Sequence, residues 1–569
     1  MKNGMDFNTE AQVIIDKNNG DPDAVRFIAP LPGGGHVNVT WRDFYSYSSK
    51  AALYLSHHGT GQNTKVAVYA KNRIEWPFCL MAIHSCRGVF VPVYHSNTPP
   101  EVEYILTHSD TEVLITELDM LPTINKIWSS LPLIKKIILM DATAQLSADL
   151  GQLKDKIVFM DDVYAEGEGI LRDDPDGFTR LAALITKDDV SAMLYTSGTT
   201  GPPKGVVLTY ENLYVNAGDW IDVLSPLIPD TKVDLLWLPM SHIFGWGELG
   251  LGNTLGFTTY FTTPVAALSD MPIVRPTIFI SVPAYWEKLY ITANASSPDR
   301  NEQIAKLREL TGGRLRFCLS GGAGLKREVK EFFYDAGLLL IEGYGLTECS
   351  PTLTMNRKDD FDFDTVGRAF PRVELRLAPD GEILAKGLNI FKEYYKDPAA
   401  TKEAFDGNGW FKTGDLGEFT ERGFLRIKGR KKEIIVTSGG KNISPQLIEL
   451  RFKDDPYIEH IVVYGDERKY LTALVTLKHD AAADYAKQQG VIFSEFSELV
   501  TNDAIIALIR GRVDEVNKTL ASFETIKKLY IYEGRLTPEQ GFLTPSLKLR
   551  RKNIYEAFKD RLDALYLNQ

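Results

Sequence analysis

The sequence predicts an α/β protein: a large N-terminal body of α/β subdomains with a β-rich subdomain, followed by a small α+β C-terminal domain. Three observations predict it. Apolar strands alternate with helix-spaced segments in the first 120 residues, a rhythm that argues for a mainly parallel sheet covered by helices. From about Val366 to Ile427 the pattern changes to short strands separated by Asp-Gly and Arg-Gly turns, the mark of antiparallel hairpins. The charge also divides: from Lys431 onward 21 Lys+Arg face 20 Asp+Glu, whereas the first 430 residues hold 43 against 55. The boundaries drawn from this are 1–430 for the body, with its β-rich part at about 366–427, and 431–569 for the tail.

In chain order, Val66–Tyr69 reads as a short strand. Ile74 to Cys86 has helical spacing, with Ile74, Phe78, Met81 and Ala82 on one side. Val89–Val93 reads as a strand, Glu101–Thr107 as a helix and Val113–Ile115 as a strand. The same rhythm returns at Thr277–Val282, Phe317–Ser320 and Leu338–Ile341. Asp380-Gly381, Asp406-Gly407 and Arg422-Gly423 mark the hairpin turns. In the tail, Ile461–Tyr464 and Leu471–Leu477 read as strands, Asp503–Leu520 and Asn553–Leu567 as helices.

Composition narrows the function. A chain of 569 residues, 44% hydrophobic and 24% charged, can bury a large core without disulfides or a structural metal. A formal charge of −11 argues against nucleic acid as a partner, because phosphate binding needs a net basic face. Small anions see only the local field and stay in play. Cys79, Cys86, Cys318 and Cys349 form no CxxC pair and read as buried free thiols of a reducing compartment. No signal-peptide apolar region opens the chain, and no run reaches the roughly 18 apolar residues of a spanning helix. The expected location is cytoplasmic. The basic cluster of the tail is compatible with peripheral contact at a membrane.

The most informative segment runs from Leu194 to Leu208, where apolar strands flank a polar loop. It offers the hydroxyls of Thr196, Ser197, Thr199 and Thr200, the glycines Gly198, Gly201 and Gly205, and one cation, Lys204. Glycines let backbone N–H groups approach an anion, hydroxyls donate further hydrogen bonds, and lysine adds a point charge. The composition suits a triphosphate. It is not a Walker loop, because Pro203 precedes Lys204, Gly205 follows it and a strand comes next.

The segment Tyr195-Thr-Ser-Gly-Thr-Thr-Gly-Pro-Pro-Lys-Gly205 resembles the signature of the adenylate-forming (AMP-binding) enzymes. Four more segments match in the family's order: Gly343-Tyr-Gly-Leu-Thr-Glu-Cys-Ser-Pro351; Trp410-Phe-Lys-Thr-Gly-Asp415; Lys428-Gly-Arg-Lys-Lys-Glu433 with Ser438-Gly-Gly-Lys-Asn442; and Leu543-Thr-Pro-Ser-Leu-Lys-Leu-Arg-Arg551. Similarity runs from about Thr40 to the end, and its wording is most like the long-chain fatty acyl-CoA synthetases. The resemblance implies a mobile C-terminal domain and the reaction of a fatty acid, ATP and coenzyme A to acyl-CoA, AMP and pyrophosphate, through an acyl adenylate and with Mg²⁺. Aryl or medium-chain acids, or a carrier-protein thiol as acceptor, are the nearby alternatives. A silent nucleotide- or lipid-binding homologue is the reading from another class.

The resemblance also implies roles. Tyr344, between Gly343 and Gly345, would stack on adenine; Thr347 would bond the α-phosphate; Glu348 and Thr196 would hold Mg²⁺; Asp415 would accept the ribose hydroxyls, supported by Arg430. Gly322 would border the nucleotide. Lys548 is the implied catalytic lysine, acting with Thr196, Lys204 and Glu348 where two anions must meet. Lys432 would be the hinge, and Gly439 and Gly440 would face the CoA channel. The segment Leu238–Trp246 matches the family's acyl-pocket segment, so His242 and Trp246 would line that pocket, with Trp246 as its gate, and the small residues of Ser320–Gly324, Gly321 among them, would leave space for the chain. The family's glycine before the lysine is Leu547 here, and its histidine after the loop strand is Tyr210.

Overall fold

The computed structural model describes residues 7–31, 33–141, 146, 148–196, 202–544 and 548–567. The body is built on two large sheets. One has eight strands in the order Glu393–Tyr394, Lys204–Thr209, Val190–Thr196, Val89–Val93, Lys65–Tyr69, Val113–Thr116, Lys136–Leu139 and Ile157–Phe159. Lys65–Tyr69 pairs in parallel with Val89–Val93 on one side and Val113–Thr116 on the other. Its Val66–Tyr69 stretch is buried on both faces, which is why it reads as an unbroken apolar run. The expected helix after it spans Glu75–Ser85 and is buried all round. The expected helix at Glu101–Thr107 spans Pro99–His108, started by two prolines and a Thr98–Glu101 capping box.

The second sheet has nine strands. Its central order is Leu340–Gly345, Phe317–Ser320, Ile278–Ser281, Val233–Leu236, Thr258–Phe261 and Val25–Pro30, all parallel, and antiparallel strands flank it at both edges. The third sheet is the β-rich unit: Val373–Leu377, Glu382–Gly387, Phe411–Phe419 and Leu425–Arg430, antiparallel throughout. Two short strands of the expected β-rich region belong elsewhere. Arg368–Ala369 extends the nine-stranded sheet and Glu393–Tyr394 extends the eight-stranded one. The region therefore staples the two large sheets together as well as forming its own.

The tail has a small hairpin, Ile435–Val436 with Asn442–Ile443, and a three-stranded sheet. Leu471–Leu477 is its central strand, fully buried, antiparallel to Ile458–Tyr464 and parallel to Ile526–Tyr532. The last of these strands has no counterpart among the sequence expectations. The single helix expected over Asn553–Leu567 is two, Arg551–Ala557 and Lys559–Leu567. The buried apolar clusters of the body end at Phe411 and those of the tail begin at Ile435, so among the described residues no cluster is shared. All four cysteines are buried and free.

The tail's own fold is fastened by one buried guanidinium. Arg551 donates to both carboxylate oxygens of Glu449 and, at 2.9 Å, to Glu433. Truncating one partner of a buried pair leaves the other charge unpaired, at a cost of about 3–5 kcal/mol. Glu449→Ala is therefore expected to destabilise the tail by that amount in urea unfolding followed by intrinsic fluorescence, with much of the loss recovered in Glu449→Ala/Arg551→Leu.

Candidate active site

The carboxyl ends of Val89–Val93 and Val190–Thr196 in one sheet, and of Phe317–Ser320 and Leu340–Gly345 in the other, face one cavity of about 1540 Å³, where the β-rich unit and the tail also meet. Crevices at strand carboxyl ends are where open α/β sheets bind ligands. Thr196 ends its strand at the cavity, and Lys204 opens the antiparallel return strand directly opposite it. Ser197, Gly198, Thr199, Thr200 and Gly201 lie outside the described residues. Gly321 and Gly322 line the cavity just beyond the end of Phe317–Ser320.

Strand Leu340–Gly345 carries Gly343, Tyr344 and Gly345 to the cavity wall, followed by a short turn bearing Thr347 and Glu348. The strand needs glycine at its end: a Cβ on Gly345 would stand 1.9 Å from the Pro351 carbonyl oxygen. The Tyr344 hydroxyl donates to Asp415 Oδ2 at 2.6 Å. The Arg430 Nε donates to Asp415 Oδ1 at 2.9 Å, because the pairing of Phe411–Phe419 with Leu425–Arg430 sets the two residues directly across from each other. Burial pushes the Asp415 carboxyl up, against the pull of Arg430, the Tyr344 hydroxyl and Lys548. Burial also pushes the Tyr344 phenol well above its ordinary value, and the neighbouring carboxylate adds to this.

Glu348 and Lys204 are joined by Tyr394, a residue the sequence motifs do not include. Its hydroxyl donates to Glu348 Oε1 at 2.9 Å, and the Lys204 ammonium sits 4.6 Å from the centre of its ring. An ammonium over an aromatic face is held electrostatically while keeping its N–H groups available. Nothing local in Glu393-Tyr394-Tyr395 marks this role; it exists because the short strand there pairs with Val206 and Val207.

Lys548 comes from the tail to the same cavity. Its backbone N–H donates to Thr544 Oγ1 at 3.0 Å. It is open to the cavity yet closely surrounded by protein, and its ammonium is pushed below the ordinary lysine value, first by desolvation and then by Arg430. The structure thus brings Thr196, Lys204, Gly321, Gly322, Tyr344, Thr347, Glu348, Asp415, Arg430, Lys432, His242 and Lys548 to one cavity.

Three expected residues are placed elsewhere. Trp246 does not line the cavity; it is buried on helix Ile243–Leu255, packed on His84 and Phe90. Ile243 and Phe244 of that helix do line the cavity, and Phe244 lies against Gly321. Gly439 and Gly440 form the turn of the small tail hairpin, with Gly440 at φ +74°, and do not line the cavity either. Among the described residues no three His, Cys, Asp or Glu side chains converge to hold a metal ion, and no helix is long and apolar enough to cross a membrane.

These features define an α/β enzyme whose cleft opens at the strand carboxyl ends and is covered by a separate C-terminal domain. The chain belongs to the AMP-binding enzyme family: that family's profile matches residues 15–395, and the profile of the AMP-binding enzyme C-terminal domain matches 432–569. It is 31% identical to the long-chain-fatty-acid–CoA ligase FadD15 of Mycobacterium bovis, over 98% of this chain and 96% of that one. It is 28% identical to the long-chain-fatty-acid–CoA ligase 5 of Mus musculus, over 92% and 84%. Among solved structures, the fold is similar to the adenylation domain of a carboxylate reductase from Mycobacterium chelonae, with a TM-score of 0.81, 21% identity and coverage of 99% and 92%. It is also similar to the anthranilate CoA ligase AuaEII bound to anthranoyl-AMP, with a TM-score of 0.77, 20% identity and coverage of 97% and 98%.

His242 caps helix Ile243–Leu255 by accepting from the Phe244 N–H through Nδ1 at 3.2 Å. Burial pushes its imidazole down from 6.5 to about 4, and the charge of Lys548 acts in the same direction. The folded protein therefore keeps His242 neutral where the unfolded chain takes up a proton. This contribution to stability is present above pH 6.5 and is lost as pH falls toward 4. The His242 ring protons are expected to show no titration between pH 5 and pH 8 by NMR. His242→Asn should flatten that part of the stability profile below pH 6.5.

Proposed function

We propose that this protein is an ATP-dependent long-chain fatty acyl-CoA synthetase that activates the acid as an acyl adenylate and transfers the acyl group to coenzyme A. The observation that carries this reading is the meeting of Lys204, Lys548, Glu348 and Asp415 at one cavity, in a chain similar over nearly its whole length to proteins named as such ligases.

Carboxylate attack on an α-phosphorus brings two anions together and builds charge on the phosphoryl oxygens. Two lysines supplied from body and tail oppose that repulsion, and in a cavity they act in a lower dielectric than water. No general base is needed, because the acid is already ionised; a neutral His242 is consistent with this. Asp415 offers two carboxylate oxygens to a ribose, already oriented by Tyr344 and Arg430. Tyr344 offers a ring face to adenine.

Glu348 is a single carboxylate beside the expected phosphate position, a donor set that suits Mg²⁺, which takes one or two carboxylates and completes its shell with phosphate and water. Bound there with Thr196, the ion would neutralise charge on the triphosphate. The apolar wall formed by Phe244, Trp220, Leu319 and Met355 faces the same cavity and suits an acyl chain, each buried methylene contributing about 0.8 kcal/mol.

The second step needs a thiol where Lys548 now sits, so the tail has to turn. Lys431 is held by the body through Asp380 and Glu382, at 2.6 and 2.7 Å. Glu433 is held by the tail through Gln446 and Arg551, at 2.7 and 2.9 Å. Lys432 lies between the two anchors and is exposed, which supports it as the hinge. Rotation there would carry Gly439 and Gly440 toward the site as part of the CoA channel.

Pyrophosphate exchange into ATP with long-chain fatty acids, followed by thioester formation on adding CoA, tests the reading; exchange with no carboxylate would overturn it. Lys548→Ala is expected to lower the exchange rate on the order of 10²–10³-fold. The alkaline fall in exchange should begin below the ordinary lysine range, since the Lys548 ammonium loses its proton early.

A further inference from the structure

One contact between tail and body is placed to aim Lys548. Arg550 stands two residues beyond the lysine and also lines the cavity. Its Nη2 donates to Glu101 Oε1 at 2.8 Å, and both side chains are half-buried. Backbone hydrogen bonds tie both cations to the chain just before them: Thr544 N–H donates to the Lys548 carbonyl at 2.8 Å, and Arg550 N–H to the Phe542 carbonyl at 2.8 Å. A force on Arg550 is therefore felt at Lys548.

Glu101 is prepared for this contact before the tail arrives. Its other oxygen, Oε2, accepts from the Thr98 N–H at 2.9 Å and from the Thr98 hydroxyl at 3.0 Å, as the capping box of helix Pro99–His108. The carboxylate is thus fixed by the body alone, and little side-chain freedom is lost on capture. Opposing burial, Arg550 and Thr98 hold the Glu101 carboxyl below its ordinary value, so it stays charged at neutral pH. The same helix reaches the phosphate-loop strand at its far end, where His108 Nδ1 is 2.9 Å from the Tyr195 hydroxyl.

We propose that Glu101 is a positioning residue for acid activation: it captures Arg550, holds Lys548 over the cavity during adenylation, and releases it before thioester formation. This rests on the role of Lys548 proposed above. Among the described residues, apart from the Lys431 anchor, two other ion pairs cross between body and tail, Lys326–Asp454 at 2.6 Å and Lys453–Glu287 at 3.0 Å. Neither adjoins Lys548 in sequence, so they hold the tail near the body without aiming the lysine.

The two steps separate the proposal from a general structural role. In the full chain, Glu101→Gln and Arg550→Gln are expected to slow ATP–pyrophosphate exchange roughly tenfold, the scale of an ordinary coupling between sites. KM for ATP should stay unchanged, and thioester formation from supplied acyl adenylate and CoA should keep its rate or rise. The exchanged pair Glu101→Arg/Arg550→Glu should recover part of the loss. Equal slowing of both steps, or no effect on either, would overturn the proposal. A second measurement does not depend on turnover. All four native cysteines are buried, so spin labels can be confined to Val265→Cys in the body and Ile492→Cys in the tail, both almost fully exposed positions. Glu101→Gln should broaden the distance distribution between them and shift it away from the docked spacing. An unchanged distribution overturns the proposal. If the unmutated chain exchanges pyrophosphate with no acid, the activity reading fails, and the label distances still decide whether Glu101 holds the tail.

Discussion

The Asp415–Arg430 ion pair is the contact on which the rest of the site depends. It is made where the β-rich sheet ends, across a strand pair whose register sets acid opposite base. One residue later the chain is pinned to the body by Lys431, and two residues after that it is pinned to the tail by Glu433. Control of the backbone therefore passes from one domain to the other over a single residue. The rotation proposed at Lys432 would pivot beside the carboxylate that binds Tyr344 and Arg430. In that proposal Tyr344, Asp415 and Arg430 would stay with the body while Lys548 leaves.

The electrostatics of the cavity follow from this arrangement. Arg430 and Lys548 carry like charges in one confined space, and each works against the other: the Lys548 ammonium is depressed by desolvation and by Arg430. Asp415 offsets part of that repulsion, and it is itself pushed toward protonation by burial. Lys204 is steadied separately, by the ring of Tyr394, whose hydroxyl also fixes Glu348. Such a set of charges, mutually unfavourable alone, is satisfied by a polyanion that can touch all the cations at once. The net charge of −11 over the whole chain argues against nucleic acid without arguing against a small anion, which meets only the charges near it.

What the sequence made legible was the part encoded locally. Buried parallel strands such as Lys65–Tyr69 read as apolar runs, and the Asp380-Gly381 and Arg422-Gly423 turns fall where a positive φ is needed, at +85° and +78° for the glycines. Strand Ile526–Tyr532 was hidden because Lys527 and Lys528 interrupt its apolar pattern; it runs parallel to Leu471–Leu477, a non-local pairing that no turn signal announces. In the site, many of the described motif residues line one cavity, whereas Tyr394 and Glu101 lie outside the motifs and meet their partners only in the fold, Glu101 reaching Arg550 across 449 positions of the chain. Trp246 shows the converse. Position in a motif suggested a gate, but the helix turns its ring into the core beside His84 and Phe90, and presents Phe244 to the cavity instead.

The division of the core bears on the rotation proposed for the tail. Apolar contacts make interfaces that are costly to open, because every separated face meets water. Here the buried apolar clusters of body and tail stay on their own sides, and the prominent links across the gap are ion pairs, of which Glu101–Arg550 is partly exposed and Lys453–Glu287 ends on a buried carboxylate. A partly exposed pair such as Glu101–Arg550 has charges that water can take over when it parts, so breaking it costs far less than unpairing Arg551 inside the tail. The tail thus keeps its own apolar core and its own buried ion pair, and meets the body through polar contacts beside the cavity. A reaction whose two steps need different groups over one phosphorus and one carbonyl requires that combination: a lysine held firmly enough to stabilise charge, on a domain held weakly enough to leave.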